Sequence, residues 1–466
     1  MLVPPLGGYL IFYSTRGGVF KEDMMSLSAA EQYMLELINR ARLDPVAEAR
    51  RYDLALNTGL VSGTITGDAK QVLAPNTLLE QSALTHAEWM LAEDNFSHTG
   101  ENGSSPGERI VDAGYVFTGQ WTWRENLAWT GTTGTLDSRA AIVTHHEGLY
   151  RSEGHRENTF ADAIKEIGVA QVQGDFNLGG TVYDSSMMAL NFASSGRDVF
   201  ITGVAYADDD ADAFYSMGEG QAGIWVAADG QRVITQDAGG YGIAVAASDD
   251  LRVQVGQGDV TLATLRVDAA EGNVKLDVVS DADGVQTLLL SGDATLVSGI
   301  PNAELLGIAD LNLTGNDDDN VLTGNAGQNV LTGAGGNDVL SGGGRRGDTI
   351  GGTATTNADV LLGGAGDDDL IGQAGADRLD GGTGDDMLLG GGGRDTFVFT
   401  GGNDVIADFT DNVDLVEIET DATLAEVIAM GDIRGGNAVF DFGGDTSLTL
   451  TGVTDLGALE NDLLIV

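Results

Sequence analysis

The sequence predicts a multidomain chain with an α+β domain first, a β-sandwich second and a parallel β solenoid last. Capped helical patterns fill residues 28–150, and two strand-like segments follow them, which is typical of an α+β domain. From Phe200 onward, short alternating segments separated by Gly and Asp favour a β-sandwich. Between Gly315 and Phe397, a polar residue is followed two positions later by an apolar one about every nine residues, which indicates a solenoid.

The composition is strongly acidic and contains no cysteine. The 466 residues include 71 Asp and Glu against 23 Lys and Arg, for a formal net charge of −48. This charge disfavours nucleic acid and anionic lipid as partners, because both are bound through Lys and Arg. Without cysteine there is no disulfide and no thiolate zinc site, so bound Ca²⁺ is expected to take over the stabilising role. No stretch is long and apolar enough to span a bilayer.

The helices of the first domain are predicted from their caps. Ser28 and Glu31 form a capping-box pattern that opens the first helix, and Asp44-Pro45 kinks or ends it. Thr77 is expected to cap a second helix, and Ser105 followed by Pro opens a third. A fourth helix and the two strands are expected at Ser138–Tyr150, Ile167–Gln173 and Thr181–Phe192.

The five histidines all lie between residues 86 and 155, which predicts a functional site in this domain. Three patches stand out, at Asn95–Thr99, Arg124–Ala128 and Ser152–Asn158. They resemble the F-S-H, G-E-N-[LI]-A and S-x-G-H-R-x-N signatures of the CAP superfamily, which includes the SCP domains of cysteine-rich secretory proteins. Leu37–Arg42 and Glu166–Val169 are similar to the opening helix and the core strand of that family. The resemblance covers residues 27–195 and implies an α-β-α sandwich.

The resemblance also implies a central cavity lined by two histidines and two glutamates. By motif these are His98, Glu125 and His155, and Glu147 on the fourth helix is the weaker match. Such groups suit Zn²⁺, held by His98 and His155, and they can also act as general acid and base. No nucleophile motif and no HExxH helix accompanies them. The interpretations left open are a binding cavity or zinc site, a structural hydrogen-bond network, and a catalytic site.

Other residues of this domain receive structural interpretations. His86 lies on an apolar helix face and is expected to be a packing histidine. Trp121, Trp123 and Trp129 are expected to fill the core, and the alternative is that they line a ligand groove. Arg124 stands where the CAP family has Gly, which is expected to alter the wall of the cavity.

A β-sandwich similar to prealbumin-like domains is expected over residues 196–300, with an acidic loop between its first two strands. Its carboxylates stand at positions 1, 3, 5 and 12 of a twelve-residue loop, the spacing of an EF-hand calcium site; they are Asp208, Asp210, Asp212 and Glu219. Ala213 replaces the usual Gly at position 6, and strands flank the loop instead of helices. The alternative is therefore a solvated acidic turn.

The solenoid combines glycines and carboxylates in a fixed order. In 363–368, glycines precede Asp368, and Leu370 follows two residues later. Gly allows positive φ angles that let carbonyls converge, and the Asp adds a hard oxygen ligand that suits Ca²⁺. The pattern resembles the GGxGxDxUx repeat of RTX (repeats-in-toxin) proteins, which implies a calcium-binding β-roll over 311–400. The expected ligands are Asn320, Asn329, Asp338, Asp348, Asp359, Asp368, Asp377, Asp386 and Asp395.

Two departures from the repeat carry expectations of their own. Asn320 and Asn329 are weaker ligands than Asp, which predicts metal-poor first turns. The spacing stretches around Arg345-Arg346 and Thr353–Asn357, which predicts a bulging loop. Without the ion, rows of carboxylates repel each other, so the ion-free roll is expected to be unfolded. A disordered Gly/Asp linker is the alternative, but a linker does not keep an apolar residue in phase.

The C-terminal residues 401–466 are expected to cap the roll and to carry an export signal. Asp404–Phe409 resembles the segment that closes the rolls of exported RTX proteases. RTX proteins leave the cell by type I secretion, which makes that machinery an expected partner. Residues 1–26 lack a basic start and a cleavage site, so they are expected to be a non-structural extension, with Met24 or Met25 as the true start.

These features predict a secreted bacterial protein, extracellular or attached to the cell surface, that binds several Ca²⁺ ions. Its CAP cavity or groove is expected to bind a small lipid, glycan or peptide. One alternative is a metal-dependent, peptidase-like hydrolase that uses the His/Glu tetrad. Another is an adhesive surface protein in which the CAP domain is passive. Enzymatic activity is disfavoured but left open, and no oligomeric state is predicted.

Overall fold

The structure, a computed structural model, describes residues 27–343 and 357–466. The predicted extension at 1–26 lies outside the described residues, as do most of the predicted loop and its calcium ligand Asp348. Among the described helices, none is long and apolar enough to cross a membrane.

The described residues up to Ser195 form helices on both faces of one sheet. The helices are α1 (Ala29–Leu43), α2 (Pro45–Arg51), α3 (Thr77–Ala92), α4 (Pro106–Asp112), α5 (Ser138–Arg151) and α6 (Glu153–Thr159). The strands are β1 (Ala74–Pro75), β2 (Trp121–Thr132), β3 (Glu166–Leu178) and β4 (Thr181–Ser195), in the sheet order β1-β3-β4-β2.

Alternation along β4 shows how the sheet is sandwiched. Met188 and Leu190 pack with α1 and α5 on one face, whereas Met187 and Ala189 pack with α3 on the other. Neighbouring side chains of a strand point to opposite faces, so a fully apolar strand can be buried on both sides. The predicted α-β-α sandwich is confirmed.

The helix caps follow the sequence with one correction. Ser28 and Glu31 form the predicted capping box of α1, with the Ser28 amide donating to the Glu31 carboxylate at 2.8 Å. The cap of α3 is Asn76 and not Thr77, because the Asn76 side chain accepts from the amides of Leu78 and Leu79. Thr77 is the first residue inside the helix.

From Val199 onward the chain forms two long facing sheets that share one core. The strands up to residue 305 are β5 (Val199–Ala207), β6 (Ile224–Ala228), β7 (Gln231–Ile234), β8 (Gly240–Val245), β9 (Leu251–Gln257), β10 (Val260–Val267), β11 (Val274–Ser280), β12 (Gln286–Leu290), β13 (Ala294–Gly299) and β14 (Asn302–Leu305).

Short strands then build the roll. They are β15 (Asn312–Thr314), β16 (Val321–Thr323), β17 (Val330–Gly335), β18 (Val339–Ser341), β19 (Val360–Ala365), β20 (Asp369–Ile371), β21 (Ala374–Gly375), β22 (Arg378–Thr383), β23 (Met387–Leu389), β24 (Gly392–Gly393), β25 (Thr396–Phe399), β26 (Asn403–Ile406) and β27 (Leu415–Ile418). The chain closes with α7 (Leu424–Met430), β28 (Gly431–Arg434), β29 (Asn437–Asp441), β30 (Ser447–Leu450) and β31 (Leu463–Ile465).

The nonapeptide is half a turn of the roll, because successive units lie in opposite sheets. Among the described residues one sheet has 12 strands, in the order β31-β27-β25-β22-β19-β17-β15-β13-β10-β9-β6-β7. The other has 13, in the order β28-β29-β30-β26-β23-β20-β18-β16-β14-β12-β11-β5-β8. The apolar residue of each described unit points inward and is fully buried, as the sequence predicts; these are Leu322, Leu331, Leu340, Leu361, Leu370, Leu379, Leu388 and Phe397.

Strand pairing fixes where the repeat is interrupted. Leu322 pairs with Leu340 in a parallel ladder, an offset of one 18-residue turn. The next pairing in the same sheet joins Leu340 to Leu370, and the offset widens to 30 residues. The chain between Leu340 and Leu370 is therefore longer than one turn of the repeat, and Asp348 lies within it.

The strands predicted as a β-sandwich over 196–300 continue the sheets of the roll. β12 pairs in parallel with β14, and β13 with β15, so no sheet edge separates the two regions. Their core is also continuous, since Ile201 and Leu276 belong to the same buried cluster as Leu370 and Leu448. This continuity depends on pairings between distant segments, which local patterns do not encode.

Helix α1 joins the first domain to the long sheets. Met34 and Leu35 pack against Tyr206 and Tyr215 in a shared apolar cluster. Beside it, the ammonium of Lys275 lies 2.9 Å from the Glu36 carboxylate and also contacts Asp277, and all three groups are buried. A buried ion cluster of this kind fixes the geometry of the junction, because no partner can leave without stranding a charge.

Candidate functional site

The corners of the roll carry two ladders of buried aspartates. The Oδ1 of each Asp accepts a hydrogen bond from a backbone amide in the preceding turn. In the first ladder, Asn320 donates to Asp338 at 2.7 Å and Asp338 donates to Asp368 at 2.7 Å. In the second, Asn329 donates to Asp359 at 2.8 Å and Asp359 donates to Asp377 at 2.8 Å; the later members of the two ladders are Asp386 and Asp395.

The second oxygen of these carboxylates is left for another partner. Within the described residues, Oδ2 of Asp338, Asp368, Asp377 and Asp386 is buried and has no hydrogen-bond partner. An unpaired buried carboxylate oxygen is costly unless a cation or a donor meets it. The ladders therefore orient one oxygen of each of these carboxylates and leave the other without a hydrogen-bond donor.

Glycine keeps a space open in front of each free oxygen. A Cβ on Gly363 would lie 2.3 Å from Asp368 Oδ2 and 2.5 Å from the Gly381 carbonyl of the next turn. A Cβ on Gly333 would meet Asp338 Oδ2 and the Gly363 carbonyl in the same way. Carboxylate and carbonyl oxygens from adjacent turns thus converge on a cradle, and oxygen is the ligand atom that Ca²⁺ prefers. The residues present fit this ion.

The pKa values of the ladder carboxyls are raised, as expected for buried carboxylates without a counter-charge. Burial raises the pKa of Asp338, Asp359 and Asp386 to about 6 and that of Asp377 to about 7. Neighbouring carboxylates add to this; Asp359 and Asp395, for example, raise the pKa of Asp377. A cation in the corners would compete with these protons.

The two asparagines of the first turns, Asn320 and Asn329, have hydrogen-bond partners for both the oxygen and the nitrogen of their side chains without an ion. The Asn329 amide donates to the Leu311 carbonyl at 3.2 Å, and its oxygen accepts from the Asn325 amide at 2.7 Å. Asn320 likewise donates to the Pro301 carbonyl at 3.4 Å. An amide group supplies the positive end that a carboxylate lacks. These contacts favour the prediction of metal-poor first turns.

Asp404 and Asp414 extend the ladders, although the sequence analysis did not assign them as ligands. They accept from the amides of Asp386 at 3.1 Å and Asp395 at 3.0 Å. Burial raises the pKa of Asp404 to about 8. The 18-residue offset from Asp386 was the signal that could have identified Asp404.

The acidic loop before β6 brings three of its four predicted ligands together. Ligand oxygens of Asp208, Asp210 and Asp212 lie within 4.8 Å of one another. Glu219 is not among them, because its two oxygens accept the amides of Asp209 at 3.2 Å and Ser216 at 2.6 Å. The predicted twelfth-position ligand therefore braces the loop from within, and calcium binding by the aspartates stays a prediction.

In the first domain, three of the four predicted cavity residues meet. His98 Nδ1 lies 2.8 Å from Oε1 of Glu125, which β2 carries in its buried middle. The rings of His98 and His155 have centroids 6.4 Å apart. Asn126 positions His155 by donating to its backbone carbonyl at 3.0 Å. Burial, and then the nearby His98, lowers the pKa of His155.

The fourth member of this group is Arg109, and the assignment of Glu147 is corrected. Arg109 Nη2 donates to Oε2 of Glu125 at 2.5 Å. Glu147 instead forms a surface ion pair with Arg151 at 2.7 Å and is 42% exposed. Residues 145 to 147 are consecutive on α5, and each successive side chain turns by about 100°. His145 and His146 therefore take the inward directions, and Glu147 points outward.

The inward histidines of α5 belong to structural networks. His146 Nε2 contacts Glu48 at 2.9 Å, and His145 Nε2 contacts the hydroxyl of Ser186 at 2.9 Å. All four side chains are buried. For these two histidines the network interpretation holds.

The predicted zinc tetrad does not fit the residues present. Both oxygens of Glu125 are engaged, and a guanidinium lies beside them. With Glu147 on the surface, only His98 and His155 are left, whereas zinc sites in proteins use at least three protein ligands. Among the described residues, Asp208, Asp210 and Asp212 are the one cluster of three metal-ligating side chains that meet closely.

Two family models match the chain. That of the cysteine-rich secretory protein family (CAP) matches residues 35–183. That of the RTX calcium-binding nonapeptide repeat (4 copies) matches residues 314–344, 353–388 and 371–406. Both resemblances drawn from the sequence motifs are confirmed. No curated protein matches the chain significantly.

Solved structures similar to the chain include an outer surface protein from Borrelia burgdorferi, at 18% identity and a TM-score of 0.20, over 27% of this chain and 78% of that one. An extracellular protein containing a SCP domain from Bacillus anthracis matches at 20% identity and a TM-score of 0.20, over 33% of this chain and 39% of that one. The extracellular lipase LipA from Serratia marcescens matches at 18% identity and a TM-score of 0.21, over 47% of this chain and 30% of that one. This chain therefore spans less than half of the Bacillus and Serratia proteins.

Proposed function

We propose that this chain, which joins a CAP domain to RTX calcium-binding repeats, is a secreted protein. Its roll folds when it binds Ca²⁺, and its CAP domain binds a ligand without catalysing a reaction. The proposed units are the CAP domain over 27–195, the strands of 196–300, the roll over 311–400 and its cap over 401–466.

One observation carries the calcium proposal. At the corners of Asp338, Asp368 and Asp377, a buried, unpartnered carboxylate oxygen lies beside a glycine carbonyl of the next turn, as Asp368 Oδ2 does beside that of Gly381. Carboxylates and carbonyls in a flexible arrangement suit Ca²⁺ better than Mg²⁺, which demands near-octahedral geometry and keeps its water. The ligands we propose are the ladder aspartates, and the Asp208–Asp212 loop is a further proposed site.

Isothermal titration of the ion-free protein with Ca²⁺ and, in parallel, with Mg²⁺ tests this proposal. We expect Ca²⁺ to bind at several sites and to increase the β signal in circular dichroism, while equal Mg²⁺ does neither. Equal responses to the two ions, or no response to either, would contradict it.

Export follows from the same chemistry. Free Ca²⁺ is scarce inside cells, so the corners would stay charged and the roll extended until the chain meets calcium outside. The type I secretion machinery is the proposed partner, reading a signal in 401–466. Deleting 401–466 should abolish export, whereas deleting the CAP domain should leave it intact. Normal export of the first deletion, at equal intracellular levels, would refute the proposal.

For the CAP domain, the geometry favours ligand binding over hydrolysis. Glu125 is held by Arg109 and His98, so it is not poised to activate water as a free base. His98 is exposed and His155 half-buried, which leaves a polar surface open to a ligand. Loss of binding with His98→Ala, measured on ligands recovered from culture medium, would support the proposal; metal-dependent peptide hydrolysis by the intact protein would contradict it.

A further inference from the structure

A groove on the CAP domain adjoins the His98 site and is lined by aromatic rings. It has a volume of about 1040 Å³ and lies between α3, the Glu101–Gly103 turn, α4 and the start of β2. Its walls carry Trp89, Phe117, Trp121 and Trp123. Phe117 and Trp121 touch, with ring centroids 4.8 Å apart, yet Trp121 is 54% exposed. Exposed rings in a concave site favour a ligand with a flat apolar face.

This placement corrects the expectation for Trp121, whereas Trp123 packs partly against the core cluster that contains Ile110 and Tyr115. Trp129 packs on Phe176 inside the domain, with centroids 5.3 Å apart, as predicted. Trp123 also lies against the first turn of α4, where a Cβ on Gly107 would come within 2.8 Å of its ring. Trp121 and Trp123 therefore present their rings to the groove.

The floor of the groove offers an unused hydrogen-bond acceptor. His86 Nε2 lies 2.9 Å from the carbonyl oxygen of Ser97, which only accepts, so Nε2 carries the proton and Nδ1 presents a lone pair. His86 is buried, and within the described residues its Nδ1 has no hydrogen-bond partner. It lies close to Arg109 Nη1 and Ser104 Oγ beside Gly100, where a Cβ would come within 2.9 Å of both atoms and 3.2 Å of Nδ1. Burial, and then the charge of Arg109, lowers the pKa of His86.

The rim of the groove supplies more acceptors. The side chains of Glu101, Glu108 and Asp112 line it and are exposed. The guanidinium of Arg109 is neutralised by Glu125, although its buried Nε has no acceptor within the described residues. The groove thus combines aromatic faces, many acceptors and one buried donor.

Two classes of ligand are disfavoured by this lining. Anions are repelled by the rim carboxylates and by the net charge of −48. A lipid tail would cover exposed polar side chains of the lining, such as Gln81, Thr85 and Asn102, without hydrogen-bonding them, which costs free energy.

Building on the proposed ligand-binding role of the CAP domain, we propose that the groove binds a neutral oligosaccharide. The apolar faces of the sugar rings lie on Trp121 and Trp123. A hydroxyl group donates to His86 Nδ1, and others donate to the rim carboxylates. Hydroxyl groups both donate and accept, so they can also satisfy the free Nε of Arg109.

Binding of an array of neutral oligosaccharides that includes cellohexaose and chitohexaose, followed by calorimetry on the full-length calcium-loaded protein, tests this inference. We expect at least one neutral hexasaccharide to bind and to shift tryptophan fluorescence. Trp121→Ala should weaken its affinity at least tenfold. His86→Gln keeps a donor for Ser97 but removes the acceptor at the Nδ1 position, and it should also weaken the affinity at least tenfold.

The matched control is Leu178→Ala, at the β3–β4 hairpin, because Leu178 is also 54% exposed but lies outside the groove. It should bind as the unaltered protein does. Absence of any neutral oligosaccharide bound, unchanged affinity in both groove variants, or binding only of hexalysine or palmitate would overturn the inference. Circular dichroism of the same samples with and without Ca²⁺ shows separately whether the calcium proposal stands.

Discussion

The CAP domain and the roll treat buried carboxylates in opposite ways. In the CAP domain, Glu48 is buried, but His146 and Arg40 lie against it and lower its pKa to about 2 despite the opposing effect of burial. In the roll, burial raises the pKa of Asp377 to about 7, and other carboxylates are its charged neighbours. For Glu48, the CAP domain therefore supplies the counter-charges itself, whereas our proposal is that the ladder carboxylates of the roll obtain theirs from Ca²⁺ in solution.

The largest expected effect is the loss of the roll alone when calcium is removed. Trypsin should cut at Arg378 and Arg394 in chelated protein, because ion-free ladders repel and the strands open. Arg42 and Arg156, buried in the CAP domain, should stay protected in the same digest. Mass mapping of the fragments checks this, and equal protection of the roll with and without calcium would remove the difference between the two regions.

Acid should partly replace calcium in the roll. The unfolded chain releases these protons near the ordinary Asp pKa of 3.8, whereas the folded, ion-free roll holds them up to a pKa of about 6 at Asp338 and about 8 at Asp404. The folded state therefore binds more protons in this window, and the free energy of unfolding falls as the pH rises.

Calcium-free protein should thus have more β structure at pH 5 than at pH 8, and added Ca²⁺ at pH 8 should restore it with release of protons. Circular dichroism and a pH-stat measure the two effects. A roll that is less ordered at pH 5 than at pH 8 would show that repulsion between the ladder carboxylates does not limit the folding of the calcium-free roll.

Within the CAP domain, Glu125→Gln should be far more damaging than Glu147→Gln. The first change strands the charge of Arg109 in a buried site, which costs about 3 kcal/mol. The second removes one partner of an exposed pair and should stay within about 0.5 kcal/mol. Urea unfolding followed by tryptophan fluorescence compares them; equal effects would restore Glu147 as a member of the site.

The smallest effect concerns a single corner. Asp386→Asn keeps an oxygen for the Asp368 amide but removes the charge, so the calcium affinity of the roll should fall by about tenfold. Asp369→Asn removes the same charge from an exposed position and is the control. Calorimetry should separate the two variants; a matched loss in both would indicate that overall charge, and not the corner, determines affinity.

The sequence predicted the roll well because its information is local. Leu370 and Asp368 recur in phase, so their burial and their place at a corner follow from the period alone. The helix caps Ser28 and Ser105 were predicted for the same reason.

What the sequence did not predict depends on contacts between distant segments. Arg109, and not the predicted Glu147, lies in the His98 site. This difference depends on how α5 is rotated against the sheet and on where α4 packs. Strand β2 was not predicted, although it carries Glu125 and two groove tryptophans. Nor do local patterns show that the strands after Val199 would pair onward into the roll.

Hydrogen–deuterium exchange of the full-length protein, with and without calcium in one experiment, tests the central claim most directly. We predict that amides of the roll strands 360–365 and 378–383 lose protection on chelation. Those of the CAP strands 166–178 and 181–195 should remain protected. Protection of both regions in the ion-free protein would contradict the claim that only the roll takes its counter-charges from solution.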